Sequence, residues 1–205
     1  ALRDLIADLS QWYVRRSRQR IKNGDQVAKQ TLYVVLKTVS QLLAPFTPFL
    51  AEDLWQQLRA GDDVESVHLS RWPEAGPVDY QVLDLMKRSR NIVFYVLSRR
   101  QAENLKVRQP LADLTIGASL PAEYLELIAE EVNVKTINFD PRLGDLVQLD
   151  IQLTPALIEE GEKRELIRGL QAQRKARGLK PGELAVLEVP SGQKDLVTKY
   201  QDELM

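Results

Sequence analysis

Lys106-Val107-Arg108-Gln109-Pro110-Leu111-Ala112-Asp113-Leu114-Thr115-Ile116 is the stretch at which the periodicity of this chain changes. Before it, apolar residues recur every three or four positions, which gathers them on one face of a helix. After it they alternate with polar ones, which suits a strand covered on one face. The change predicts a mainly helical α+β chain: a helical bundle over residues 1–108 followed by a small α+β domain over residues 109–205.

Working back from that seam, a helix is expected over residues 79–105, with Val82, Leu83, Met86, Ile92, Val93, Val96 and Leu97 as its candidate core. The punctuation of Val67-His68-Leu69 through Trp72-Pro73 to Gly76-Pro77 is that of a loop packed over helix ends. Thr47-Pro48, a cap followed by a first-turn proline, opens a helix through Phe49, Leu50, Leu54, Trp55 and Leu58 that closes at Gly61. Asp25 can cap a helix whose stripe runs Val27, Leu32, Val35, Leu36, Val39, Leu42 and Leu43 and which Pro45 ends. Leu2, Leu5, Ile6, Leu9, Trp12 and Tyr13 are the stripe of a first helix that Asn23-Gly24 stops.

Working forward, strands are expected at 114–116, 134–139 and 149–153, with an amphipathic helix at 121–132 between the first two. Thr154-Pro155 starts a helix that reaches Arg177, a fourth strand is expected over 184–189, and a final helix follows from Asp195. An internal glycine costs a helix up to about 1 kcal/mol against alanine. Gly161 therefore marks either a bend or close packing against another backbone.

The 205 residues are 44% hydrophobic and 28% charged, which suits a chain that buries a core and excludes a disordered one. There is no cysteine, so disulfides, zinc-thiolate clusters and a catalytic thiol are excluded, and a cytoplasmic setting is expected. No run of about 18 apolar residues occurs, so no membrane partner is expected.

The formal net charge of −1 conceals segregation. Arg15, Arg16, Arg18, Arg20 and Lys22 follow one another with no acid between them. Residues 87–108 hold seven basic side chains against Glu103, and residues 163–180 seven against Glu165. Segregated cations on a nearly neutral protein can form a positive face for a phosphate backbone, although arginine-rich helix faces also serve as plain solvated surface.

Catalytic signatures are missing. There is no phosphate-binding glycine loop, no nucleophile elbow and no metal-spaced histidines, and the one histidine, His68, suits a structural or surface role. Adjacent pairs such as Glu130-Glu131 and Glu159-Glu160 diverge around a helix axis and cannot flank one substrate bond. The chain itself is expected to be non-catalytic.

Several blocks, in order, resemble the C-terminal part of the class I isoleucyl-tRNA synthetases. Asp8-Leu9-Ser10-Gln11-Trp12-Tyr13-Val14-Arg15-Arg16-Ser17-Arg18 resembles a helix of that family, with Gln11 where asparagine is usual. Leu43-Ala44-Pro45-Phe46-Thr47-Pro48-Phe49 with Ala51-Glu52 and Leu54-Trp55 is similar to a segment shared by the isoleucine, valine and leucine enzymes. Ser66-Val67-His68-Leu69 with Trp72-Pro73, Lys106-Val107-Arg108-Gln109-Pro110-Leu111, and Glu130-Glu131-Val132-Asn133-Val134-Lys135 resemble the isoleucine enzymes in particular. A last similar block runs from Leu153-Thr154 through Glu160-Gly161, Arg164-Glu165 and Arg174-Lys175 to Gly178-Leu179.

The resemblance implies an anticodon-binding helical bundle, truncated at its N-terminus, and part of a C-terminal α/β extension. It implies recognition of tRNA(Ile) in support of isoleucine attachment, with ATP and magnesium used by the parent enzyme and no cofactor in this part of it. The catalytic and editing domains of the same chain would be its other partners. On this reading Arg15, Arg16, Arg18, Arg20, Arg174 and Lys175 are the candidate phosphate contacts, and Trp12 is either core or a base-stacking residue. Trp55 and Trp72 are read as packing. The competing expectation is an interaction module that docks catalytic domains or protein partners, with the basic runs incidental.

Overall fold

The computed structural model describes residues 1–144, 146–180, 182, 183, 186, 188, 189, 192 and 194–200, without the side chain of Lys194. The described residues form two compact units, Ala1–Pro77 and Val78–Met205. This division lies upstream of the seam expected after residue 108, because the long helix before that seam packs on the helix and third strand that follow it.

In the first unit, α1 (Leu2–Asp8) continues without a break through a π-helical turn (Leu9–Val14) into α2 (Arg15–Lys22). The expected helix is therefore present, but with wider i→i+5 bonding across its Trp12-Tyr13 segment. Asn23-Gly24 reverses the chain, with Gly24 at φ 89°. Asp25 then caps α3 (Gln26–Leu43), its Oδ1 accepting from the Ala28 amide at 3.0 Å. The Tyr13 hydroxyl donates to the Ala28 carbonyl at 3.0 Å, which pins the first helix to the second. On α3 Ala28, Val39 and Ser40 are buried, while Val27, read as core, is exposed.

α4 (Pro48–Leu58) packs on α3. Ala51, Trp55 and Val67 form its core with Leu43 and Ala44 against them. Thr47 holds the N-cap position, but its hydroxyl reaches back to the Leu43 carbonyl instead of capping. The Trp55 Nε1–H is satisfied by the Val64 carbonyl at 3.1 Å. Lys37 Nζ donates to both oxygens of Asp63, at 2.5 and 2.6 Å, tying the loop after α4 to α3.

In the second unit, α5 (Tyr80–Ala102) starts at Asp79, whose Oδ1 accepts from Gln81 and Val82. Ile92, Val93 and Val96 are buried, whereas Val82 and Leu83, nearer its start, are exposed despite their place on the apolar stripe. The sheet has the order β2-β1-β3. β1 (Leu111–Ile116) runs parallel to β2 (Val134–Phe139), with α6 (Ala122–Val132) as the crossover, and antiparallel to β3 (Val147–Leu149). Leu111, Leu114 and Ile116 of the central strand are fully buried.

The third strand lies at 147–149 and not at the expected 149–153. Asp150 spends its amide on the Asp113 carbonyl and folds its own carboxylate onto the Gln152 amide, which turns the chain out of the ladder. α7 (Pro155–Ala176) is capped by Thr154 Oγ1, and α8 spans Lys194–Lys199. The strand expected over 184–189 falls largely on residues outside the described ones.

Gly161 sits within α7, buried against Gln109. A Cβ there would lie 2.1 Å from Gln109 Oε1, and the Gln109 amide donates to the carbonyls of Leu157 at 2.6 Å and Pro110 at 3.1 Å. The close approach is to a side chain that threads against the helix, not to another backbone.

Candidate nucleic-acid interface

The four arginines expected to meet phosphate share α2, but they are not equivalent. At about 100° per residue Arg15, Arg18 and Lys22 fall on one stripe, and Arg16 with Arg20 on another. The buried Ser17 lies opposite the first stripe. Arg15 is exposed, donates from Nε to the Gln11 carbonyl at 2.7 Å and holds its guanidinium 5.9 Å from the centre of the Trp12 ring. That stack fixes the direction of both side chains. Trp12 itself is half-buried, so its ring is neither wholly core nor an open platform.

Arg18 is exposed and has no hydrogen-bond or ion-pair partner among the described residues. Arg20 is drawn off to Asp25 at 2.8 Å. The Asp25 carboxyl is held below the usual carboxylate range, first by the Ala28 amide it caps and then by Arg20. Part of the expected cationic run is therefore spent on the turn between α2 and α3.

Arg174 and Lys175 lie in the other compact unit, in the last turn of α7, where positive charge complements the helix dipole. Arg174 is half-buried and donates to the Lys180 carbonyl at 3.1 Å. Lys175 is exposed and without a partner among the described residues.

Sequence reading missed a convergence within the second unit. Glu165 of α7 takes Arg168 at 2.8 Å, and Lys106 and Arg108 stand 3.5 and 3.8 Å away. Three cations thus share one carboxylate and hold its pKa below the usual range, led by the Arg168 hydrogen bond. Glu160 likewise joins Lys135 at 2.7 Å and Arg164 at 2.6 Å. The legible signals were the spacings from Glu160 to Arg164 and from Glu165 to Arg168; the approach of residues 106–108 was not legible.

That approach rests on Arg100, which is fully buried at the end of α5. One of its nitrogens donates to the carbonyls of Lys106 and Val107 at 2.8 and 3.3 Å and also to that of Gln109. Its Nε and Nη1 have no partner among the described residues, and burial lowers its pKa. Asn133, left-handed at φ 54°, adds a bond from Nδ2 to the Val107 carbonyl at 2.8 Å and accepts from Arg164 at 2.7 Å.

Among the described residues no three of His, Cys, Asp and Glu converge to hold a metal ion, and no helix is long and apolar enough to cross a membrane.

The first unit thus carries an arginine stripe on α2, and the second has cations of its own on α7. The family described as the anticodon-binding domain of tRNA ligase matches residues 1–116, and the chain belongs to that family. Its relatives narrow this further. The chain is similar to the isoleucine–tRNA ligase of Nocardia farcinica, at 31% identity over 98% of this chain and 27% of the relative. It is also similar to that of Clostridium novyi (40%, covering 74% and 16%) and that of Chlamydia trachomatis serovar D (42%, covering 66% and 14%). The chain spans at most about a quarter of the length of these relatives.

Proposed function

We propose that this chain is the tRNA-binding part of an isoleucine–tRNA ligase, and that it holds the anticodon region of tRNA(Ile) while ATP-dependent attachment of isoleucine is carried out by other parts of the ligase. The observation that carries this reading is the α2 stripe: Arg15 and Arg18 exposed on one face, no acid on that helix, and Arg15 stacked on Trp12. Cations so arranged neutralise phosphates and fix the register of an RNA, while unpaired bases supply the sequence information. Arg16, Arg20, Arg174 and Lys175 are supporting contacts in this reading, and magnesium belongs with the ATP chemistry.

The test is the chain carrying Arg15→Gln and Arg18→Gln together, titrated with a tRNA(Ile) transcript over a range of salt. Affinity should fall, and the slope of log K against log salt should shrink by about one unit for each lost phosphate contact. Both side chains are exposed, so the melting temperature should hold. An unchanged slope with unchanged affinity makes the stripe solvated surface and removes the reading's main support.

A second reading has its own observation. At the start of α4, Phe46 is 74% exposed and Phe49 90%, with Leu50 exposed beside them. Neighbouring apolar side chains left in water mark a docking patch, which suits an interaction module for another domain or a protein partner. Loss of association with that partner on Phe49→Ser, with tRNA binding intact, would favour it.

A further inference from the structure

Trp55 and Trp72 lie within one unit and face opposite fates. Trp55 is sealed in the core, and its indole N–H is satisfied. Trp72, read from sequence as packing, is 62% exposed, and its ring and N–H have no partner among the described residues. Exposure of so large an apolar ring is unfavourable unless something covers or uses it.

The segment that carries Trp72 is firmly built. Glu52 Oε2 accepts from both the Ser66 hydroxyl at 2.9 Å and the Val67 amide at 3.0 Å, and Val67 is buried. The Ser70 hydroxyl donates to the Val67 carbonyl at 2.6 Å, and Gln41 of α3 donates to the Arg71 carbonyl at 3.2 Å. With these bonds made, the segment borders a cleft of about 250 Å³ lined by Gln41, Pro45, His68, Arg71 and Trp72 among others. Arg71 is exposed and its side chain, like that of Trp72, is without a hydrogen-bond or ion-pair partner among the described residues.

We infer that this cleft is a nucleobase site: one unpaired RNA base stacks on Trp72, and Arg71 takes an adjoining phosphate. The inference rests on the tRNA-binding reading and extends it to a place the α2 arginines do not supply. An indole face stacks any base, a guanidinium beside it matches the backbone phosphate that every nucleotide carries, and the imidazole of His68 and the remaining amide oxygen of Gln41 offer hydrogen bonds to a base edge. A nucleotide joins a stacking face and a phosphate in one unit, which fits Trp72 and Arg71 as chain neighbours on one cleft; a docked protein surface over Trp72 is the outcome in which RNA crosslinks fall elsewhere.

The experiment measures binding of a tRNA(Ile) transcript, and of a blunt RNA duplex with no unpaired bases, to the full chain and its variants. Trp72→Ala should weaken transcript binding about ten-fold with the salt slope kept, and should leave duplex binding alone. Trp72→Phe should recover most of the loss, and Arg71→Gln should lower the slope by about one unit. Ultraviolet crosslinking of the unaltered chain should place a nucleotide on residues 70–72, which decides the matter even if Trp72→Ala unfolds. Transcript binding that responds to Arg15→Gln with Arg18→Gln but not to Trp72→Ala, with crosslinks elsewhere, overturns the cleft and leaves the reading standing. A transcript that does not bind the unaltered chain overturns both.

Discussion

The two compact units are both rich in arginine and lysine, yet they hold these charges differently. α2 itself carries no carboxylate; Arg18 has no hydrogen-bond or ion-pair partner among the described residues, and Arg20, near the end, is paired with Asp25. On α7 Glu160 and Glu165 stand four and three residues before Arg164 and Arg168, and the cations are drawn into ion pairs that also collect Lys106, Arg108 and Lys135. Runs of similar composition thus lack an acid on their own helix in one unit and are fastened in the other, where two glutamates placed three or four residues before the cations make the difference.

The largest effect should come from breaking the fastening at its buried end. Arg100→Ala strands the carbonyls of Lys106, Val107 and Gln109 and should destabilise the second unit by about 3 kcal/mol. All three tryptophans, Trp12, Trp55 and Trp72, belong to the first unit. In urea, helical circular dichroism should therefore fall early while tryptophan fluorescence keeps its own midpoint; coincident early transitions would mean that the two units do not unfold separately.

Next in size is the cap. Asp25→Ala removes the acceptor for the Ala28 amide and should lower the melting temperature followed by tryptophan fluorescence by about 5 °C. It also releases Arg20, so tRNA binding should hold or tighten; weaker binding by a folded variant would show that the α2–α3 turn itself matters.

Acid should loosen the second unit's fastening by degrees. The Glu160 and Glu165 carboxyls are held below their ordinary value by Lys135 and by Arg168 respectively. Their contribution is complete above the unfolded carboxylate range and is lost as pH falls through the depressed values, so the melting temperature should decline between about pH 4.5 and pH 3. Glu165→Gln should remove part of that decline.

The smallest effect should be that of Glu165→Gln at neutral pH, within about 2 °C, because the pairs involved are exposed. With Lys106, Arg108 and Arg168 freed, tRNA binding should tighten if this face meets RNA, and stay unchanged if it is only a fastening.

Which parts of this were legible from sequence follows from locality. Caps and stripes are local, and Asp25 and Thr154 sit where their spacing placed them. The end of β3 was misplaced because an aspartate turn at Asp150 competes with alternation, and alternation alone cannot see it. Val27, Val82 and Leu83 obey a helical stripe yet stay exposed, since periodicity gives a face but not what covers it. Trp72 was misjudged for the same reason. The Glu165 cluster joins residues far apart in the chain, and the contact of Gln109 with Gly161 was visible only as a glycine without a reason.

The wide turn at Leu9–Val14 makes the first helix a rod in two phases. It accommodates one residue more than an α-helix would use over the same rise, so α1 and α2 keep independent settings about a common axis. Deleting a single residue there would remove the wide turn and leave Arg15, Arg18 and Lys22 at their present bearing. Winding the same residues as plain α-helix would instead swing them about 100° around the axis relative to α1. Reach and charge would be unchanged; only the compass bearing of the stripe would differ, which makes this turn a dial for where the helix points its cations.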